Sequence, residues 1–111
     1  MLLDYIVVPF SNAEEAWLWC CKIRLGGAAG RHAYTETVRP CETIDIYHIV
    51  QRLHQMSELS DSHLKVMVSY GERLAPPLSF KRVYDYECLL WEEAMNKLHK
   101  PFASKKIILP D

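Results

Sequence analysis

The sequence predicts a mainly α-helical protein with a compact trihelical core of the helix-turn-helix type. Three segments whose apolar residues recur three and four positions apart follow one another, at about residues 44–56, 60–70 and 79–99. A short connection joins the first two, as a helix-turn-helix unit requires. A chain of 111 residues predicts one domain, with the trihelical core at about 43–99.

An additional N-terminal helix is predicted at about residues 12–25. Ser11 and Glu14 have the spacing of a capping box, and a pair of glycines ends the apolar pattern. Trp17 and Trp19 lie on the two margins of its apolar face. Because large aromatic residues are usually buried, we expect both at the edge of the core, in preference to a role as a ligand platform.

The ends of the core helices also carry recognisable signals. Thr43 is the predicted N-cap of the second helix, and Ser60 caps the third, with Asp61 in its first turn. A double proline at 76–77 separates the third helix from the last one. The last helix is expected to continue as far as His99.

Both termini are apolar and strand-like. Residues 1–10 and 105–110 are each predicted to form a short strand or an extended arm, which could pair together, pack on the helices or contact another subunit. The N-terminal run contains Asp4, has no basic leader and is too short for a membrane segment. We therefore expect a cytoplasmic protein without membrane association.

The composition excludes several classes of function. With 13 basic and 14 acidic residues the net charge is -1, which argues against a strongly basic nucleic-acid binder but leaves local patches open. The four cysteines contain no CxxC pair, so reduced thiols are expected in preference to disulfides or zinc. No histidine has a second histidine or a cysteine four residues on, and we predict neither metal nor cofactor.

A glycine-rich stretch at residues 26–31 has the superficial look of a phosphate-binding loop. It follows a helix instead of a strand and lacks the Gly-Lys-Ser/Thr ending, so we predict a mobile connection over 26–39. Arg31, His32 and Arg39 give this connection a local positive character.

Four polar residues share one strip of the predicted third helix: Ser62, Lys65, Ser69 and Arg73. If the trihelical unit docks on DNA, this strip belongs to the recognition helix and contacts phosphates or base edges. The alternative is an ordinary solvated helix face.

Two residues of the last predicted helix stand out. Glu87 falls in the centre of the apolar stripe, so it is predicted to be a buried structural carboxylate that is paired or hydrogen-bonded. A catalytic role would need a partner acid, base or metal, and none is evident. Leu89 points away from the stripe and is a candidate for a partner surface.

Several short motifs resemble a group of small uncharacterised helical proteins of the alphaproteobacterial type. They are Ala16-Trp17-Leu18-Trp19, Arg39-Pro40-Cys41, His63-Leu64 with Tyr70-Gly71, and Leu90-Trp91-Glu92-Glu93-Ala94. This resemblance implies no particular activity. More distantly, residues 60–98 are similar in rhythm to the C-terminal helix-turn-helix region of sigma factors, although the segment 74–78 with its two prolines replaces the compact turn. No functional residue is carried over from either resemblance.

Three classes of function follow. The sharpest expectation is a small non-enzymatic regulatory protein that binds double-stranded DNA weakly through the third helix. The alternative is a protein-interaction module, a homodimer or an adaptor, without nucleic-acid binding; the apolar termini and Leu89 favour it. An enzyme is the weakest hypothesis, because the histidines and cysteines lack the spacing of a site.

Overall fold

A computed structural model describes residues 7–26, 38–80 and 84–110, and this part of the chain is mainly helical, which confirms the predicted class. Its helices are α1 (Ala13–Gly26), α2 (Thr43–Gln55), α3 (Asp61–Arg73) and α4 (Asp85–Ser104). A single 3₁₀ turn, Pro77–Ser79, lies between α3 and α4. None of the described helices combines the length and apolarity needed to cross a bilayer.

Helix α1 is an integral part of the core, although the sequence predicts it as an addition to a trihelical unit. It packs against each of the other three helices, and Ala16 and Trp17 are buried among them. The Trp17 indole N–H donates to the carbonyl oxygen of Met67 in α3 at 3.0 Å. A Cβ at Gly71 of α3 would lie 2.5 Å from the Cys21 sulfur, so this glycine permits the close approach of α1 and α3.

The cap of α1 lies one residue later than predicted. The Asn12 side-chain oxygen accepts from the Glu15 N–H at 2.8 Å, and the Glu15 carboxylate accepts from the Ser11 N–H at 2.6 Å. The reason is that Ala13 is the first helical residue, which places Asn12 at the N-cap. Glu14 is thereby left to accept from the Trp91 indole N–H of α4 at 2.8 Å.

The predicted N-cap is wrong for α2 and correct for α3. At α2 the N-cap is Glu42 instead of Thr43, and its N–H donates to the Asp45 carboxylate at 2.7 Å. At α3 the predicted cap is confirmed, because the Ser60 hydroxyl oxygen accepts from the His63 N–H at 3.2 Å.

The last helix begins at Asp85, six residues later than predicted. Phe80 has extended backbone angles, with φ -107° and ψ 147°, because the 3₁₀ turn ends there. Residues 81–83 of the predicted helix lie outside the described part of the chain. Asp85 and Glu87 occupy the first turn, where the helix dipole favours acidic side chains.

The same helix continues to Ser104, beyond the predicted end at His99. Pro101 lies inside it without ending it. Leu98 and Phe102, four residues apart and both fully buried, keep this last turn packed in the core. Proline in the final turn removes only one helical hydrogen bond, which the buried pair offsets.

The terminal segments meet without forming strands in the described residues. The Phe10 N–H donates to the Ile107 carbonyl, and the Leu109 N–H donates to the Phe10 carbonyl, both at 2.9 Å. A ladder does not extend from this bridge because Ile107 already donates its N–H to Phe102 at the end of α4, at 2.8 Å. Predictions for residues 1–6 and 27–37, including Arg31 and His32, fall outside the described residues.

Candidate functional site

A groove between α3 and α4 contains three of the four residues of the predicted polar strip. Its volume is about 420 Å³. Ser62, Lys65, Val66 and Ser69 of α3 form one wall, and Tyr86, Glu87 and Leu90 of α4 form the other. We call this surface the α3–α4 groove.

The spacing along each helix explains how these side chains come together. Lys65 and Ser69 follow Ser62 by three and seven residues, so the three side chains lie on one face of α3. Tyr86 and Leu90 are four residues apart on α4 and face the groove for the same reason.

Glu87, which lines the groove, is hydrogen-bonded to Tyr70 of α3. The Tyr70 hydroxyl donates to the Glu87 carboxylate at 2.7 Å. This hydrogen bond, together with burial, raises the pKa of Tyr70 above its ordinary value. Glu87 itself is half-buried, in contrast to the predicted full burial, because it lies in the first turn of α4 and not in the middle of a longer helix.

His63 and Glu93 form a second hydrogen bond between α3 and α4. The His63 Nδ1 lies 3.0 Å from the Ser60 N–H, which donates to it, and Nε2 lies 3.0 Å from the Glu93 carboxylate. With Nδ1 accepting, the ring hydrogen belongs on Nε2, from which it is donated to Glu93. The imidazole thus links the N-cap of α3 to α4.

Arg73 lies apart from the rest of the strip. Its guanidinium stacks over the Tyr70 ring at 4.7 Å and over the Phe80 ring at 5.3 Å. Among the described residues that line the groove, Lys65 is therefore the only cation, and Glu87 faces the same space. The predicted strip does not form a continuous basic surface.

Three exposed apolar side chains lie at the beginning of α4, and one of them, Tyr86, lines the groove. Leu89 is 55% exposed, Tyr86 is 58% exposed and Tyr84 is 68% exposed. The two tyrosine rings stack on each other, with centroids 5.7 Å apart and an interplanar angle of 28°. The sequence singled out Leu89 alone, because a helix beginning at 79 would have turned Tyr84 inwards.

The four cysteines are free thiols, and burial keeps Cys20, Cys21 and Cys41 neutral at ordinary pH. Burial is the main cause that raises the pKa of Cys20 and of Cys41 to about 11 and that of Cys21 to about 12. Since the thiolate is the reactive form, these three are poor nucleophiles. In the described ranges no three His, Cys, Asp or Glu side chains lie close enough together to hold a metal ion.

The chain matches no protein-family model, no curated protein and no solved structure. The resemblances to small alphaproteobacterial-type proteins and to sigma factors therefore stay predictions. What the α3–α4 groove does must be inferred from its geometry and chemistry.

Proposed function

We propose that this chain is a small cytoplasmic regulatory module without enzymatic activity, and that it acts by self-association through the α3–α4 groove. The observation that supports this most strongly is the position of Leu89, Tyr86 and Tyr84. All three are exposed: Tyr86 lines the groove beside polar and charged groups, Tyr84 stacks on Tyr86, and Leu89 lies three residues after Tyr86 on α4. Apolar anchors beside polar groups are typical of protein interfaces.

A second copy of the chain is the occupant that the charges favour. In a two-fold dimer the same surface is used on both subunits, so it must be complementary to itself. Lys65 on one wall and Glu87 on the other provide both signs of charge within one groove. Leu89 and Tyr86 can meet their own equivalents near the two-fold axis.

The polar side chains of the groove support a binding role over catalysis. Neither Ser62 nor Ser69 is hydrogen-bonded to a histidine or a carboxylate in the described part of the chain, so neither hydroxyl has a base to activate it. The Glu87 carboxylate is engaged by Tyr70, and the His63 ring is engaged on both nitrogens.

DNA binding is the alternative. It would treat α2 and α3 as a helix-turn-helix unit with α3 as the recognition helix, and the short connection 56–60 and the exposed Lys65 favour it. However, phosphate binding needs several cations, and the groove offers one beside a carboxylate. Self-association accounts for more of the surface, including Leu89.

Sedimentation equilibrium over a wide concentration range tests the proposal. We expect the wild-type chain to dimerise, and Leu89→Asp to raise the dimer dissociation constant by at least about tenfold. Ile44→Asp is the matched control, because Ile44 is also an exposed apolar residue on a helix, 41% exposed on α2. It should dimerise like the wild type. A wild type that stays monomeric, or a Leu89→Asp variant that dimerises equally well, would contradict self-association.

A titration with duplex DNA at low salt distinguishes DNA binding from self-association. Saturable duplex binding that disappears in the double charge reversal Lys65→Glu/Arg73→Glu would favour the DNA-binding function. Without such binding, and with Leu89-dependent dimerisation, the self-association proposal stands.

A further inference from the structure

A second cleft lies between α2 and the segment that follows α4. Its volume is about 300 Å³, which is within the usual range for small-molecule sites. Pro40 and Cys41 precede α2, Asp45, His48, Ile49 and Arg52 belong to α2, and Lys105 and Ile107 follow α4. We call this the α2–tail cleft; it shares no residue with the α3–α4 groove.

Buried residues hold both sides of this cleft in place. Ile46 and Val50 anchor α2 in the core, so the neighbouring positions 45, 48, 49 and 52 project from a fixed helix. On the other side Ile107 is buried, donates its N–H to Phe102 and accepts from Phe10. The backbone that carries Lys105 is therefore anchored two residues from its Cα, and the site is preorganised.

The charged side chains of the cleft have a net positive charge. Arg52 and Lys105 are basic side chains, and neither has an ion-pair partner among the described residues. Asp45 is the one carboxylate, and its Oδ2 already accepts the Glu42 N–H at 2.7 Å in the α2 capping box. Two basic side chains and one carboxylate leave a single net positive charge.

The rest of the lining is apolar. Ile49, Ile107 and Pro40 contribute hydrocarbon surface. Burial raises the pKa of Cys41 to about 11, so its thiol is neutral at pH 7 and does not offset the cations. A ligand that fits this lining has one anionic end and an apolar body.

We propose that the α2–tail cleft binds a small organic monocarboxylate. The Arg52 guanidinium and the Lys105 ammonium hold the carboxylate, and Ile49 and Ile107 contact the apolar body. The planar fork of arginine matches the two oxygens of a carboxylate. A monoanion neutralises the single net charge, whereas a phosphate dianion would leave an excess of negative charge beside Asp45.

A titration of the ¹⁵N-labelled protein with phenylacetate at low ionic strength tests this. We expect saturable shifts at the amides of Ile49, Arg52, Lys105 and Ile107. The neutral isostere phenylacetamide should cause no saturable shift at these amides, and inorganic phosphate should bind more weakly than phenylacetate. Shifts that are absent, or that spread evenly over the surface, would overturn the site; tighter binding of phosphate would overturn the assigned ligand class.

Two variants test the cations independently. Arg52→Gln and Lys105→Gln should each weaken phenylacetate binding by at least about tenfold, since each removes a charge-assisted contact. Lys100→Gln, which removes an exposed cation of α4 outside the cleft, should bind like the wild type. If both cleft variants keep the wild-type melting temperature and the wild-type affinity, the proposal is wrong. The Leu89→Asp variant leaves this site intact, so the outcome is independent of self-association.

Discussion

The inner and outer faces of α3 differ in how their side chains are engaged. On the inner face Met67 and Tyr70 are buried, and Gly71 lets the backbone of α3 approach α1. On the outer face Lys65 is exposed and Ser69 is half-buried, and both line the α3–α4 groove. One helix thus holds the fold together on one side and presents unengaged polar groups on the other.

Two hydrogen bonds between α3 and α4 sharpen this contrast. One hydrogen bond joins Tyr70 to Glu87, and the other joins His63 to Glu93. The later residue of α3 pairs with the earlier residue of α4, because the two helices are antiparallel. Between these ties Lys65 has no ion-pair partner among the described residues. These hydrogen bonds link α3 to α4, while Lys65 stays available for the proposed contact with a second copy.

The largest expected difference in the free energy of unfolding is between substitutions of neighbouring residues on the two faces of α3. Met67→Ala should lower the free energy of unfolding by about 2–5 kcal/mol, because Met67 is fully buried and its loss leaves a cavity. Ser69→Ala, two residues on, should change it by less than about 0.5 kcal/mol. Urea denaturation of both variants measures this. Similar losses of unfolding free energy for the two variants would mean that the outer face of α3 also stabilises the fold.

An intermediate effect is expected at the Tyr70–Glu87 tie. Tyr70→Phe removes the donor to a half-buried carboxylate and should cost about 1–2 kcal/mol. Glu87→Gln keeps an acceptor and loses only the charge assistance, so it should cost less, about 0.5–1 kcal/mol. Urea midpoints at neutral pH decide between these values, and an unchanged midpoint for Tyr70→Phe would show that the hydrogen bond does not hold the groove.

The same tie has a signature in the pH dependence. An isolated tyrosine ionises at about pH 10, and the pKa of Tyr70 is raised by its hydrogen bond to Glu87. The folded state therefore holds the proton more tightly than the unfolded state. Its stabilisation is complete below about pH 10 and is lost as the pH rises through the folded pKa. The stability of Tyr70→Phe should consequently fall less steeply above about pH 10 than that of the wild type.

A smaller loss of stability than for Tyr70→Phe is expected at His63. His63→Ala removes both the capping acceptor for Ser60 and the link to Glu93, and should cost about 1 kcal/mol. His63→Gln should recover part of this loss, because glutamine at the third helical position can accept from the N-cap amide. Thermal denaturation compares the two variants, and equal losses would contradict the capping role.

Much of the helical fold could be predicted because it depends on local signals. The apolar period and Ser60 locate α2 and α3 closely. Both errors in α4 have physical causes. Phe80 and Tyr84 continue the apolar spacing while their backbones are extended, and Pro101 resembles a stop signal although Phe102 keeps the helix packed.

The candidate sites depend on contacts that spacing does not show. The sequence placed Ser62, Lys65 and Ser69 on one face but could not show that α4 lies beside them. It also grouped Arg73 with them, since it has the right spacing, while the structure stacks it on Tyr70. The α2–tail cleft joins residues about fifty positions apart, so no local pattern predicts it.

Dilution of the ¹⁵N-labelled wild-type protein tests the central claim most directly. If the outer face of α3 is an interface with a second copy, the amide signals of residues 62–69 and 86–90 should shift with protein concentration. Those of residues 46–50, in the anchored part of α2, should stay fixed. Concentration-independent spectra, or shifts confined to α2, would contradict the assignment of the α3–α4 groove as the interaction surface.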